Sequence, residues 1–353
     1  MKTNDKLAKH VVIVVHGSLR DGDSYWSLMN DIFADLIKQG DARVDRNLII
    51  VAPEFFSAEQ NEGQYSSKQL AWPDLNLWQP GEASSRPKGL NISSYEAIEK
   101  LVDHFDNSSQ YPQMKNITLV GHSGGGQLVN RYATLARKLP QNTHMRFIVA
   151  DPSSSLYFTE DRAVTDKNIV DKAKCPLYNS YRYGFDNLTI PIYGGQSAQT
   201  GFKNYVTRDI VHLNGLLDTE VNGDQQCMAI LQGGTQRISR NFSWWKYLNL
   251  IAGTGEDMRF FPGNFTNVPN WKHLYSGDFT PRLSIVANAS HDVDQVFNSA
   301  IGNSALFDTD VLPGWRPEKP GQSTDSFPSA AIRAQVRFAL FIPLVALTSI
   351  FLR

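Results

Sequence analysis

Ser123 lies in the segment Gly121-His122-Ser123-Gly124-Gly125, between the apolar run 117–120 and a stretch with helical spacing. A strand, a G-x-S-x-G turn and a helix in this order are typical of a nucleophile elbow, which holds a serine hydroxyl out from the end of a sheet. The glycines fit this role because larger side chains would clash in so tight a turn. A phosphate-binding loop is disfavoured, since no Lys-Ser/Thr pair follows. Ser123 is therefore the predicted nucleophile.

A serine hydroxyl is a weak nucleophile at neutral pH and needs a nearby base that a carboxylate orients. Asp218 follows a predicted strand at 210–214, and His291 follows another at 283–287. His291 is the predicted base because it alone among the eight histidines follows a late strand. Asp218 is the predicted acid, with four further carboxylates near strand ends or in loops as alternatives: Asp151, Asp224, Asp292 and Asp294.

The remaining histidines receive other interpretations. His122 is expected to point away from the base, and His16 belongs to the loop after the first strand. His212 lies within a strand. A helical or loop context is predicted for the other four: His10, His104, His144 and His273.

Acyl transfer through a serine also needs two fixed N–H donors for the oxyanion. The elbow supplies the backbone amide of Gly124. The second is predicted to be the amide of Ser18, because Gly17 allows the backbone after the first strand to approach closely. The hydroxyl of Ser18 either contributes to this site or caps the turn.

These residues require a parallel sheet to bring them together. The β-branched run 11–15 is apolar on both faces, as a central parallel strand should be. Helical spacing at 26–38 with Gly40 beyond it, followed by the apolar run 48–52, predicts a strand–helix–strand crossover. A second helix is predicted at 94–105, capped by Ser93 or Ser94, and a further strand at 147–150.

We expect one catalytic domain over residues 1–312, interrupted by excursions at about 55–90, 156–207 and 219–280. The first excursion reads as a long loop at the rim of the sheet. The aromatic-rich second and third either cover the site as a lid or wall or simply pack onto the core. Residues 313–337 are predicted to be a flexible stalk, and 338–353 form an apolar tail.

Composition narrows the function classes. The formal net charge is −1, without a long basic run, so nucleic acid is not an expected partner. Cys175 and Cys227 exclude a four-cysteine metal site and leave open one disulfide or two free thiols. Seven Asn-x-Ser/Thr sequons favour a secretory route and a glycoprotein, at Asn91, Asn107, Asn116, Asn187, Asn241, Asn264 and Asn288.

The two ends of the chain give conflicting indications of location. The first ten residues lack the apolar core of a signal peptide. The tail is short for a spanning helix and contains Pro343, but small residues near 323–329, a polar spacer and the tail match the layout of a glycolipid-anchor signal. The tail is a glycolipid signal, a membrane anchor or a plain helix, so the sequence leaves open a cell-surface and a cytoplasmic location.

The chain resembles the α/β-hydrolase superfamily through four motifs. These are His16-Gly17-Ser18-Leu19-Arg20, Gly121-His122-Ser123-Gly124-Gly125-Gly126, Gly215-x-x-Asp218 and Ser290-His291-Asp292. The pattern is similar to fungal and bacterial serine hydrolases with an HG-x-x-R segment, over about residues 11–300. The order Ser, Asp, His agrees with this superfamily.

The resemblance implies a mostly parallel sheet with helices on both faces and lid insertions. It implies a cofactor-free hydrolase with Ser123 as nucleophile, Asp218 as acid, His291 as base and the amides of Ser18 and Gly124 as oxyanion donors. It also implies a disulfide between Cys175 and Cys227. The expected reaction is hydrolysis of a small carboxylic ester. The alternatives are an amidase or peptidase with the same machinery and a non-catalytic surface binding protein.

Overall fold

The computed structural model describes residues 5–74, 76–190 and 193–317. Six parallel strands form its central sheet, and two very short strands pair in parallel outside it. In chain order the strands are β1 (His10–Val15), β2 (Ile49–Val51), β3 (Phe56–Ser57), β4 (Ala71–Trp72), β5 (Asn116–His122), β6 (His144–Ala150), β7 (Asp209–Gly215) and β8 (Arg282–Val286). The central order is β2-β1-β5-β6-β7-β8.

The side chains of β1 explain why this sheet lies inside the molecule. All six residues of β1 are buried. Val11, Ile13 and Val15 join one hydrophobic cluster, whereas Val12 and Val14 join a second on the opposite face. Successive strand residues point to opposite faces, so a continuous apolar run requires helices on both sides.

Eight α-helices are described between residues 5 and 317. They are α1 (Gly22–Gln39), α2 (Ser94–Phe105), α3 (Gly124–Leu135), α4 (Ala198–Thr207), α5 (Cys227–Ile230), α6 (Arg237–Ala252), α7 (Val293–Phe297) and α8 (Ala300–Phe307). Buried residues of α1, α7 and α8 pack on one face of the sheet, and those of α2, α3 and α6 pack on the other. The predicted two-sided arrangement is confirmed.

Of the two helices predicted from periodicity, α2 has the expected bounds, whereas α1 begins at Gly22, before the predicted start near residue 26. α1 ends at Gln39 and is capped, as predicted, by Gly40, whose φ of 74° is left-handed. α2 begins with a capping box, in which the Ser93 side chain accepts from the helix backbone and Glu96 accepts from the Ser93 N–H.

The excursions contain structure that periodicity did not reveal. α6 lies within 219–280 and is buried on every face. Fourteen of its sixteen residues are buried, including Arg237, Arg240 and Asn249. Polar residues on every face remove the one-sided apolar stripe by which a surface helix is recognised. A disulfide between Cys175 and Cys227 joins the second and third excursions, which confirms the implied pairing.

Several sequence predictions need correction. His10 and His144 begin strands β1 and β6 rather than lying in helical or loop context. At the start of the predicted stalk, the Ile285 N–H donates to the Pro313 carbonyl oxygen and the Trp315 N–H donates to the Ile285 carbonyl oxygen. Trp315 also stacks on Phe242, so residues 313–317 are held against the domain. The rest of the stalk and the apolar tail lie outside the described residues. Asn241 is buried in α6 and is not an accessible glycan acceptor in the folded chain.

Within the described ranges, none of the helices has the length and apolar character needed to cross a membrane.

Candidate active site

The turn between β5 and α3 holds Ser123 in a strained conformation. Its φ of 57° and ψ of −115° are unfavourable for a residue with a side chain, and such outliers concentrate at functional sites. The turn closes because Gly121 and Gly125 lack side chains. A Cβ on Gly121 would lie 2.2 Å from the Gly125 carbonyl oxygen, and a Cβ on Gly125 would lie 2.2 Å from that of Val15. The predicted elbow geometry is therefore present.

The loop after β1 lies against the first residue of α3. A Cβ on Gly124 would be 3.3 Å from the Ser18 backbone nitrogen, so the two predicted oxyanion donors are close together. In the described part of the chain, neither of these two N–H groups donates to another residue. Both amides therefore remain available to an oxygen atom of a bound substrate.

His16 fixes the path of this loop. It is fully buried, and its Nε2 accepts from the Phe55 N–H at 3.0 Å. Its Nδ1 therefore carries the proton and donates to the Gly17 carbonyl oxygen at 2.8 Å. Burial lowers the pKa of His16 to about 4, so the ring is neutral at physiological pH. His16 positions the backbone on which Ser18 lies.

Asp218 and His291 meet at the carboxyl edge of the sheet, beyond β7 and β8. His291 Nδ1 lies 3.0 Å from Asp218 Oδ2, and Asp218 is 1% exposed. The alternative carboxylates have other partners: Asp292 caps α7, and Asp224 accepts from the Tyr183 hydroxyl. Asp218 is thus the carboxylate hydrogen-bonded to the predicted base.

Arg237, the first residue of α6, contacts both Asp218 and His291. Its Nε lies 3.0 Å from each carboxylate oxygen of Asp218, and its Nη2 lies 2.9 Å from Oδ1. Nε is also 3.0 Å from His291 Nδ1. When Nδ1 carries a proton and donates to Asp218, it cannot also accept from Arg237. The arginine then binds the carboxylate alone and neutralises a charge that burial would otherwise disfavour.

His122 does not point away from the base, contrary to the sequence-based expectation. Its ring packs on that of His291, with centroids 4.6 Å apart. Its Nδ1 lies 2.9 Å from the Tyr25 hydroxyl, which directs Nε2 toward Asp151 Oδ2 at 3.8 Å. The orientation depends on Tyr25 in α1, a tertiary contact that the elbow motif cannot reveal.

The ring of His291 contacts that of His122, the residue that precedes Ser123 in the chain. No hydrogen bond joins the Ser123 hydroxyl to His291 among the described residues. Catalytic contacts are often loose before substrate binds. The predicted nucleophile, base, acid and oxyanion donors therefore lie at one edge of the sheet, while the hydrogen bond between the serine and the imidazole is not formed.

Gln79 is a site residue that sequence analysis missed. It lies in the first excursion, is 3% exposed and donates from Nε2 to Asn76 Oδ1 at 3.1 Å. The same nitrogen would be 2.7 Å from a Cβ on Gly124. One amide hydrogen thus remains beside the two backbone donors. A glutamine in an aperiodic loop carries no sequence signal for this position.

One solved structure with a similar fold is a poly(3-hydroxybutyrate) depolymerase from Bordetella parapertussis, with 20% identity, a TM-score of 0.54 and coverage of 94% of this chain and 84% of the other. Another is poly(aspartic acid) hydrolase-1 from Sphingomonas sp. KT-1, with 20% identity, a TM-score of 0.52 and coverage of 84% and 86%. The fold is that of the α/β-hydrolases.

No protein-family profile matches this chain, and no curated protein matches it. The identities to the two solved structures are low, so this likeness defines the fold and leaves the activity to be argued from the site.

Proposed function

We propose that this protein is a serine hydrolase that cleaves a small carboxylic ester through an acyl-enzyme intermediate. The observation that carries the proposal is the strained Ser123 turn at the same sheet edge as the hydrogen bond between His291 and buried Asp218. This combination supplies a presented nucleophile and a base with a fixed tautomer.

The first half of the reaction transfers the acyl group to the protein. His291 Nε2 takes the proton of the Ser123 hydroxyl as the oxygen bonds to the ester carbonyl carbon. The carbonyl electrons move to oxygen, and the amides of Ser18 and Gly124 hold the resulting oxyanion. When the intermediate collapses, the carbon–alkoxy bond breaks and the leaving alcohol takes the proton from His291.

Water completes the turnover. His291 removes a proton from water, which attacks the acyl-serine carbon, and collapse of the second intermediate returns the proton to Ser123. Asp218 accepts from His291 Nδ1 and stabilises the imidazolium that forms in each half-reaction. Arg237 acts as a positioning residue, since its guanidinium contacts both oxygens of the Asp218 carboxylate beside the imidazole.

A fluorophosphonate probe tests the nucleophile. We expect the folded protein to be labelled at Ser123, as located by peptide mass spectrometry, and Ser123→Ala to lose the label. Ser18→Ala is a matched control, because it removes a nearby hydroxyl and leaves both backbone donors in place. A folded protein that is not labelled would contradict the proposal and favour a binding protein on this fold.

Paired substrates test the reaction class. p-Nitrophenyl esters of increasing acyl length are compared with the corresponding p-nitroanilides, and we expect turnover of the esters to dominate. Because the two solved structures are described as a poly(3-hydroxybutyrate) depolymerase and a poly(aspartic acid) hydrolase, oligomers of 3-hydroxybutyrate and of aspartic acid are included among the substrates. Preferential cleavage of anilides would instead indicate an amidase.

A further inference from the structure

Two buried polar atoms beside the proposed base have no hydrogen-bond partner within the described residues. They are His122 Nε2 and Asp151 Oδ2, which lie 3.8 Å apart. His122 is 3% exposed and Asp151 is fully buried. A buried polar group without a partner is costly, on the order of 1–3 kcal/mol, and usually indicates an occupant or a functional role. The proposed reaction uses neither atom.

His291 completes a group of three potential metal ligands at this place. One donor atom from each of His122, Asp151 and His291 lies within 4.8 Å of the other two. We propose that these three side chains bind a divalent transition-metal ion of the zinc class, and that the ion inhibits the protein by occupying His291. The binding stands on geometry alone, whereas the inhibition rests on the proposed function.

The ligand set and spacing suit zinc. Two imidazoles and one carboxylate, with a fourth position left to water, form a common zinc environment. Bonds of about 2.0–2.1 Å place tetrahedral ligands roughly 3.4 Å from one another. The donor atoms of His122 and Asp151 are 3.8 Å apart and all three donor atoms lie within 4.8 Å of one another, so side-chain rotations must bring them closer to close the site.

Each ligand already has a partner on its other polar atom. His122 Nδ1 lies against the Tyr25 hydroxyl, and His291 Nδ1 against Asp218. Asp151 Oδ1 accepts from the Gly215 N–H at 3.0 Å and lies 3.4 Å from Asn214 Nδ2. Such outer contacts orient metal ligands and tune their affinity. They leave one free donor atom on each side chain.

The local charge permits a cation. Asp151 and Asp218 contribute two carboxylates, and Arg237 offsets one of them through its contacts with Asp218. Burial raises the pKa of Asp151 well above its usual range, so a cation that binds there takes the place of the carboxyl proton. A bound ion would hold His291 Nε2, the atom that must take the Ser123 proton, so binding and ester hydrolysis would exclude each other.

Zinc binding is measured directly, by competition between the full-length protein and a chromophoric chelator. We expect one equivalent at micromolar affinity, with Asp151→Asn and His291→Gln each weakening it about 100-fold or more. Tyr25→Phe, which removes only an outer contact, should weaken it about tenfold. The matched control His273→Gln removes an exposed histidine elsewhere and should bind as the parent protein does. Circular dichroism establishes that each variant is folded.

Inhibition is measured separately, as the rate of fluorophosphonate labelling with and without zinc. We expect one equivalent of zinc to slow labelling at least tenfold and a chelator to restore it. The metal site would be overturned if no stoichiometric zinc bound. It would also be overturned if folded Asp151→Asn and His291→Gln bound zinc as tightly as the parent protein. Zinc bound without any effect on labelling would overturn the inhibition. Zinc binding to a protein that never labels would support the site and refute only the proposed function.

Discussion

Asp218 is held by two partners, and the consequences of replacing it follow from both. His291 donates to one oxygen, while buried Arg237 contacts both. Asp218→Asn removes the carboxylate that fixes the tautomer of the base, so we expect kcat for an ester to fall about 10⁴-fold. It also leaves Arg237 buried beside a neutral amide, which should lower the free energy of unfolding by about 3–5 kcal/mol.

The two effects of Asp218→Asn are separated by measuring kcat on protein shown to be folded at the assay temperature, together with urea unfolding. Asp292→Asn is the control, because Asp292 is adjacent to His291 and caps α7 without touching the base. A near-normal kcat in Asp218→Asn would transfer the role of the acid to another carboxylate.

Gln79 gives a second prediction at the level of one side chain. Its Nε2 lies beside the amides of Ser18 and Gly124, where negative charge develops in the proposed reaction. Gln79→Met keeps a similar volume and removes the donor. We expect kcat to fall about 10²-fold with little change in KM, because such a donor acts mainly in the transition state. An increase in KM alone would mean that Gln79 contacts substrate only in the ground state.

At the level of secondary structure, the N-terminal cap of α2 can be tested for its contribution to the free energy of unfolding. Its capping box satisfies N–H groups that the first helical turn leaves without partners. Ser93→Ala removes the cap, so we expect the free energy of unfolding to fall by about 1 kcal/mol in urea denaturation. The exposed turn residue Ser109 provides the control Ser109→Ala. Equal effects of the two substitutions would mean that the cap contributes no specific stability.

Elements with a local signature could be predicted from sequence, and α6 could not. β1 and α1 follow from an uninterrupted β-branched run and from one-sided apolar spacing with a terminal glycine. α6 buries Arg237 and Arg240 against partners outside the helix, and its asparagines are buried as well, so its sequence lacks periodic amphipathicity. Because α6 was not predicted, the contact between its first residue, Arg237, and Asp218 was not predicted either.

The same distinction applies to the candidate site. Ser123 and His291 are specified by a short motif and by their positions after strands, which sequence exposes directly. The orientation of His122 depends on Tyr25, and Gln79 reaches Gly124 from a loop without periodicity. These contacts join residues distant in sequence, and no local pattern encodes them.

For the molecule as a whole, buried histidines make stability depend on pH. Burial lowers the pKa of His10 and His16 to about 4 and that of His212 to about 3. The unfolded chain takes up these protons below about pH 6.5, whereas the folded chain does so only near pH 3–4. The free energy of unfolding should therefore fall as pH decreases from about 6.5 toward 4.

His10 allows this dependence to be tested away from the candidate site. We expect His10→Gln to reduce the loss of stability between pH 7 and pH 5 by roughly 2 kcal/mol, since one depressed histidine is removed. Urea unfolding at the two pH values measures the difference, with the exposed His104→Gln as control. An unchanged difference in His10→Gln would assign the acid sensitivity to other groups.

The bond between Cys175 and Cys227 gives the folded chain a particular response to limited proteolysis. It encloses a loop that contains the exposed residues Leu177 and Val221. A protease that nicks the backbone between the two cysteines would leave both fragments covalently joined. The nicked protein should migrate as a single full-mass species on a non-reducing gel and separate into two bands only after a thiol reagent is added.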